Sequence, residues 1–295
     1  MDVEMKIQEP INRVTRKQKL KNYSKHPGSF LLALLTKLAI LLTVLALGFI
    51  LIYILVKGIP NLSTDLFALK YTTENVSMLP AIINTLIITL LSLCIAGPIG
   101  IFSAIYLVEY AKKGNKLVEV VRVTAETLTG IPSIVYGLFG MLFFVTTLKC
   151  GYSLLAGALT LSIMVLPVIM RTTEEALLAV PNSFREGSFG LGAGKLRTIF
   201  KIVLPAAVPG ILAGVILAIG RMVGETAALI YTAGTVAEIP SSIMSSGRTL
   251  AIHMYSLSKE GLYTDQAYAT AVVLLIVVVL INMLSNFVAK KFTKK

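Results

Sequence analysis

A full positive and a full negative charge stand four residues apart inside an apolar run, in the stretch GRMVGETAAL that holds Arg221 and Glu225. On an uninterrupted helix that spacing puts both side chains on one face, about one turn apart. A charge left alone at the bilayer centre costs about 2.5 to 3.5 kcal/mol on insertion scales, so the two groups are expected to pair or to face a polar cavity. Two readings follow. One is an internal ion pair that fixes helix rotation. The other is an anion checkpoint, in which Arg221 attracts a tetrahedral oxyanion and Glu225 holds the guanidinium when the path is empty. The second is preferred because an apolar pair would pack without the desolvation cost. Gly220 and Gly224 flank the charges and leave bare backbone for a neighbouring helix or a solute. Depth bears on this reading: a span beginning as early as Ile199 carries Arg221 towards the outer interface, where snorkelling is an adequate account. Arg171, at the inner end of an earlier apolar run, is a second candidate anion contact, or a topology signal.

The remaining reactive residues do not assemble into a centre. No span contains a Ser-Lys, paired-Asp or HExxH arrangement, so an intramembrane hydrolase ranks last. Gly194-Lys195 superficially suggests a phosphate loop, but Leu196 stands where Ser or Thr must bind magnesium and Phe189 replaces the first glycine. His253 has neither Cys nor carboxylate at ligand spacing and is expected at the surface. Arg248, in the same outer loop, is a candidate contact for an outer partner. Cys94 and Cys150 give neither a disulfide framework nor a metal pattern. The chain is expected to be no enzyme, with no catalytic residue, no metal ligand and no cofactor of its own.

Apolar segments must position these charges. The 295 residues are 56% hydrophobic and only 14% charged, with mean hydropathy +0.82. Soluble domains carry nearer a quarter charged residues. The composition predicts an all-α membrane protein. Apolar runs near residues 31–56, 79–108, 133–148, 154–170, 204–233 and 267–288 predict six transmembrane helices. Twenty of the 27 Lys and Arg fall on the segments that become internal if both termini are cytoplasmic, and five on the external ones. That excess sets the topology and explains the net charge of +12 without nucleic acid. Residues 1–30 form a basic tail, too long and too charged for a cleaved signal peptide, expected near anionic headgroups. Residues 31–78 hold the first helix and an outer loop, and residues 79–295 hold the other five.

Within that core, Asn84, Thr85, Thr89 and Ser92 give the second span one polar face, either water-lined or turned to another helix. Val118, Val121, Ala125 and Leu128 recur at helical spacing, predicting an amphipathic helix with its apolar side on the bilayer surface. Residues 171–180 read as a further amphipathic segment in which Glu174 and Glu175 are solvated. Residues 234–266 read as an outer loop with little hydrophobic period.

One stretch leaves the apolar pattern altogether: REGSFGLGAGKLRTIFKIVLP, residues 185–205. Asn182 or Ser183 is placed to cap a short helix through Glu186. Gly190, Gly192 and Gly194 permit a turn and close approach of another backbone. Lys195, Arg197 and Lys201 then open a new helix, with Pro205 suited to its early turns. Such a watery elbow between two apolar spans is expected to dock onto a soluble partner. Glu186-Gly187-Ser188, three residues, Gly192, nine residues and Ile202-Val203-Leu204-Pro205 resemble the "EAA" loop of ABC importer membrane subunits. The two alanines of that pattern are replaced here by Gly187 and Ser188.

Together with GIPSIVYGLFG (130–140), MRTTEEAL (170–177) and GRMVGETAAL, the loop resembles the PstA-type permease of the phosphate-specific ABC transporter, from about residue 79 to the C-terminus. The resemblance implies the type I ABC importer permease fold in the cell inner membrane. It also implies a heterodimer with a homologous PstC-type permease, two copies of a PstB-type ATPase that binds the Mg-ATP, and an extracytoplasmic PstS-type phosphate-binding protein. Arg185, Glu186, Gly187, Ser188, Gly192 and Gly194, within a docking loop of residues 182–205, are then the ATPase-coupling residues. The expected function is inward transport of inorganic phosphate by alternating access. A permease for phosphonate, sulfate or molybdate stays open, as does, less favoured, a proton-coupled secondary transporter with Glu225 carrying the proton.

Overall fold

The computed structural model describes residues 27–112 and 114–293, with side chains to Phe287. The tail expected over residues 1–30 lies outside the described residues up to His26, and so do Lys113 and the closing Lys294 and Lys295. The chain divides into two units, Met1–Ile54 and Leu55–Lys295. Most of helix α1 (Pro27–Gly58) belongs to the first unit. Apart from Lys37 and Lys57 it carries no charge and is apolar on every face, as a helix surrounded by lipid must be.

The second unit contains α2 (Leu79–Ile105), α3 (Lys116–Thr129), α4 (Ser133–Gly140), α5 (Leu154–Leu178), α6 (Asn182–Gly190), α7 (Lys195–Thr198), α8 (Leu204–Val223), α9 (Ala227–Ile230), α10 (Leu250–Glu260) and α11 (Thr264–Thr293). No strand occurs among the described residues. Three helices continue through a widened π turn: α2 into Tyr106–Tyr110, α4 into Met141–Thr147, and α7 through Ile199–Val203 into α8. Pro205 therefore sits early in α8 but inside a continuous run from Lys195 to Val223. The π turn before it accommodates the missing N–H that would otherwise break an α-helical ladder.

Five described helical runs are long and apolar enough to cross a membrane, and six if the bent pair α3 and α4 is taken as one. The two parts of that pair meet at 103°. Gly130 to Pro132 breaks the chain there as the sequence predicts. Residues 133–147 alone rise about 22 Å, less than the roughly 30 Å of hydrocarbon. This is the shortest of the predicted spans. The fourth predicted span is longer than expected, because α5 runs on without interruption through Arg171 to Leu178.

Helices α2, α5 and α8 pack through small residues and hydroxyls. Ser92 donates to the Ala158 carbonyl (3.1 Å), and Ser162 donates back to the Ser92 carbonyl (3.2 Å). Thr85 accepts from the Leu250 N–H (2.8 Å). Asn84, Thr85, Thr89 and Ser92 are all buried, so the polar face of the second span turns to other helices and not to water. Bare backbone is needed at two crossings: a Cβ on Gly214 would strike Thr172 of α5, and one on Gly140 would strike Thr160 of α5 and Thr232. Ile88, Leu161, Met164, Met222 and Leu229 fill the space between.

Two expectations about loops are corrected. The apolar side of α3 packs on protein, with Val118 and Ala125 buried against Leu107, Leu177 and Ile199, while Leu117, Val120 and Val123 are the exposed apolar residues. Residues 234–266 are not all loop, since they contain α10, capped by the Thr249 hydroxyl and carrying buried Leu250, Ile252 and Leu257.

Candidate functional site

The elbow folds as a short helix, α6, with no fully buried residue of its own. Pro181 precedes α6 without a side-chain cap, so neither Asn182 nor Ser183 acts as the predicted N-cap. Helix α6 ends in a turn at Gly192, whose φ of +80° is the left-handed conformation that glycine adopts without strain. Glu186, Gly187, Gly192 and Gly194 are exposed, and Leu191 is 91% exposed. Ser188 differs, its hydroxyl meeting that of Thr198 at 2.8 Å and tying α6 to α7. Phe184, Gly187, Leu191, Gly192, Arg197 and Ile202 line an open groove of about 640 Å³. Apolar side chains and bare backbone in one exposed groove suit a protein partner.

Arg185 departs from the expected exposed role. Its side chain is 14% exposed and turns inward to Glu109, which is 9% exposed, with Nη2 to Oε1 at 2.7 Å. Glu109 sits on the π turn that ends α2. Sequence reasoning missed it. A lone acid closing the apolar run before AKK was the available signal.

Arg221 and Glu225 are not on one helix face. Helix α8 ends at Val223, Gly224 caps it, and Glu225 lies in the break before α9. There its buried carboxylate accepts the Ala228 N–H at 3.0 Å. The expected pair is therefore corrected: the described ion pairs join Arg122 to Glu174, Arg171 to Glu126 and Glu175, and Arg185 to Glu109. None includes Arg221, which is half-buried and within electrostatic range of Tyr136. The helical run begins at Lys195, before Ile199, and Arg221 lies in its last turn, close to the end at Val223. Gly214 is level with Thr172 and Ala233 with Gly157. Arg221 stands about 10 Å of helix rise beyond Gly214, which places it midway along α5.

Arg171 meets Glu126 (3.2 Å) and Glu175 (3.4 Å), so its charge is already compensated. Glu174 is buried and paired with Arg122 at 2.5 Å, not solvated as expected. These five charges line a cleft of about 270 Å³ between α3 and α5.

His253 is fully buried, not at the surface, and packs edge-on to Tyr71 with ring centroids 6.2 Å apart. Burial first, then the nearby Arg248 charge, lower its pKa to about 3, against a small opposing effect of the Val76 backbone. Neither ring nitrogen has a partner with hydrogen-bond geometry. Arg248 is likewise buried, its guanidinium 4.5 Å above the Tyr71 ring, and so is not presented to an outer partner. Cys94 and Cys150 are free thiols.

Known proteins resemble this chain over most of its length. The family profile described as "Binding-protein-dependent transport system inner membrane component" matches residues 96–295. The chain belongs to this family. The phosphate transport system permease protein PstA of Pasteurella multocida is 35% identical over 269 residues, covering 87% of this chain and 92% of that protein. A probable ABC transporter permease of Bacillus subtilis, YqgI, is 32% identical over 261 residues, covering 82% and 88%. Among solved structures, the membrane chain of a bacterial ABC transporter importing the acidic polysaccharide alginate superposes with a TM-score of 0.67 at 17% identity, covering 92% of this chain and 99% of that one. The inward-facing methionine transporter MetNI gives 0.57 at 20% identity, covering 82% and 98%. The fold is that of type I ABC importer membrane subunits, and the chain is a multi-pass ABC transporter permease.

Proposed function

We propose that this chain is the phosphate-translocating permease subunit of an ATP-driven importer, with both termini cytoplasmic. It carries no catalytic site and binds no cofactor, and Mg-ATP is bound and hydrolysed by a PstB-type ATPase dimer. A PstC-type permease completes the membrane part, and a PstS-type binding protein delivers the anion. The observation that carries this reading is the exposed α6 elbow, with Glu186, Gly187 and Gly192 displayed beside an apolar groove, in a chain whose relatives include named phosphate permeases.

Closure of the ATPase dimer moves α6, and the packed spans transmit the movement as rigid bodies. Arg221 attracts the anion midway along the path. Among the described residues its guanidinium has no paired carboxylate to displace first. Arg171 meets the anion only after release from Glu126 and Glu175. Glu225 shapes the break in the helix by capping α9.

The test is ATP-dependent uptake of radiolabelled phosphate into proteoliposomes holding this chain with its three partners. Uptake that needs the ATPase, ignores collapse of the proton gradient and resists excess sulfate, molybdate and phosphonate is expected. Competition by one of those ions reassigns the substrate. Uptake that survives without the ATPase and fails with the proton gradient overturns the reading.

A further inference from the structure

We propose that Arg185, with Glu109, is the positioning pair that carries motion of the docking helix into the second span, and that Arg185 is not a contact for the ATPase. The inference rests on the proposed coupling of α6 to an ATPase. Consecutive helical residues point about 100° apart, and the structure uses this difference: Glu186 faces solvent while Arg185 turns inward. Its Nε and Nη2 both donate to Glu109 Oε1, at 3.1 and 2.7 Å. Nη2 also donates to the Leu177 carbonyl (3.0 Å) and Nη1 to the Val180 carbonyl (2.8 Å). One rigid guanidinium thus joins α6, the end of α5 and the end of α2. A flexible ammonium has no such planar fork.

The other side of the elbow holds the same turn of α2. Lys195, at the start of α7, places its Nζ 4.8 Å from the ring centroid of Tyr110, the neighbour of Glu109. Both flanks of the elbow therefore grip residues 109 and 110, and α2 is bonded to α5 through Ser92 and Ser162. A push on α6 reaches α2 before it reaches the break beside Arg221. Little exposure around Arg185 and Glu109 keeps water from relaxing the pair.

The experiment uses the complete transporter in proteoliposomes and reads ATP hydrolysed per phosphate taken up, per assembled complex, with ATPase retention measured separately. Glu109→Ala is expected to raise that ratio at least fivefold while the ATPase stays bound. Glu109→Gln, whose carbonyl oxygen still accepts both N–H groups, is expected to restore it to within twofold. Arg185→Ala combined with Glu109→Ala is expected to be no worse than either alone. An unchanged ratio in Glu109→Ala makes the pair a fold support only and overturns the proposal. Loss of the ATPase from Arg185→Ala, to the extent seen with Glu186→Ala, makes Arg185 a docking contact and does the same. Failure of the unmutated complex to retain any ATPase counts instead against the proposed function.

Discussion

Among the described residues Arg221 belongs to no ion pair, since the helix stops before Glu225, and a guanidinium so placed is available to an anion that comes near. Arg221→Gln keeps the size and the hydrogen-bonding tip but removes the charge. Phosphate uptake is expected to fall at least tenfold while assembly and ATP hydrolysis by the complex persist; normal uptake by this variant would remove Arg221 from the path. Glu225 is open to a sharper distinction, since its observed work is to accept the Ala228 N–H. Glu225→Gln retains an acceptor at that place, so uptake within about twofold of the parent is expected. Glu225→Ala leaves the N–H without its cap, a loss of about 1 kcal/mol, and should lower both melting temperature and uptake. A Gln variant as inactive as the Ala variant would mean that the charge itself, as proton carrier or counter-ion, is what matters.

At the scale of elements, the crossings that admit no Cβ decide how the short span α4 is held. Gly140 abuts Thr160 and Thr232, so Gly140→Val forces the helices apart at a cost of about 1 to 3 kcal/mol, the range for overpacked sites. A lower melting temperature in detergent is expected, and an unchanged one would show that α4 shifts freely. The spans themselves were legible because long apolar runs have few other solutions in a chain of this length. The break at Gly224 was not, since Glu225 and Thr226 read equally well as a polar turn of one continuous helix once the apolar run resumes at Ala227. Helix α10 was hidden for a related reason: residues 250–253 are all buried, so its first turn has no polar face to create a period. The exposed part of the docking elbow was readable from its register. Glu109 was not, because its partner lies 76 residues away and only folding brings the two together.

For the molecule as a whole, the two ends of the core are charged in different ways. The end carrying α6 is laced by ion pairs among Arg122, Arg171, Arg185 and four glutamates. The opposite end holds Arg248 stacked on Tyr71 beside a neutral His253. That imidazole makes folding sensitive to acid. Its pKa falls from 6.5 to about 3 in the folded chain, so between those values the unfolded chain binds a proton that the folded chain does not. Stability therefore rises with pH through this window and is lost as pH falls, by about 1.4 kcal/mol per unit at most for one group. Above pH 6.5 both states are neutral at this residue and its contribution is flat. Carboxylates at the other end also respond to acid, so the comparison needs a variant. His253→Phe preserves an aromatic ring against Tyr71, removes the two unpartnered nitrogens and abolishes the titration. The difference in melting temperature between His253→Phe and the parent, measured in one detergent, is expected to widen in the variant's favour from pH 6.5 to pH 5 and to be constant from pH 7 to pH 8. A difference independent of pH throughout would mean that His253 finds a proton partner in the folded chain and that this end of the molecule is not acid-sensitive.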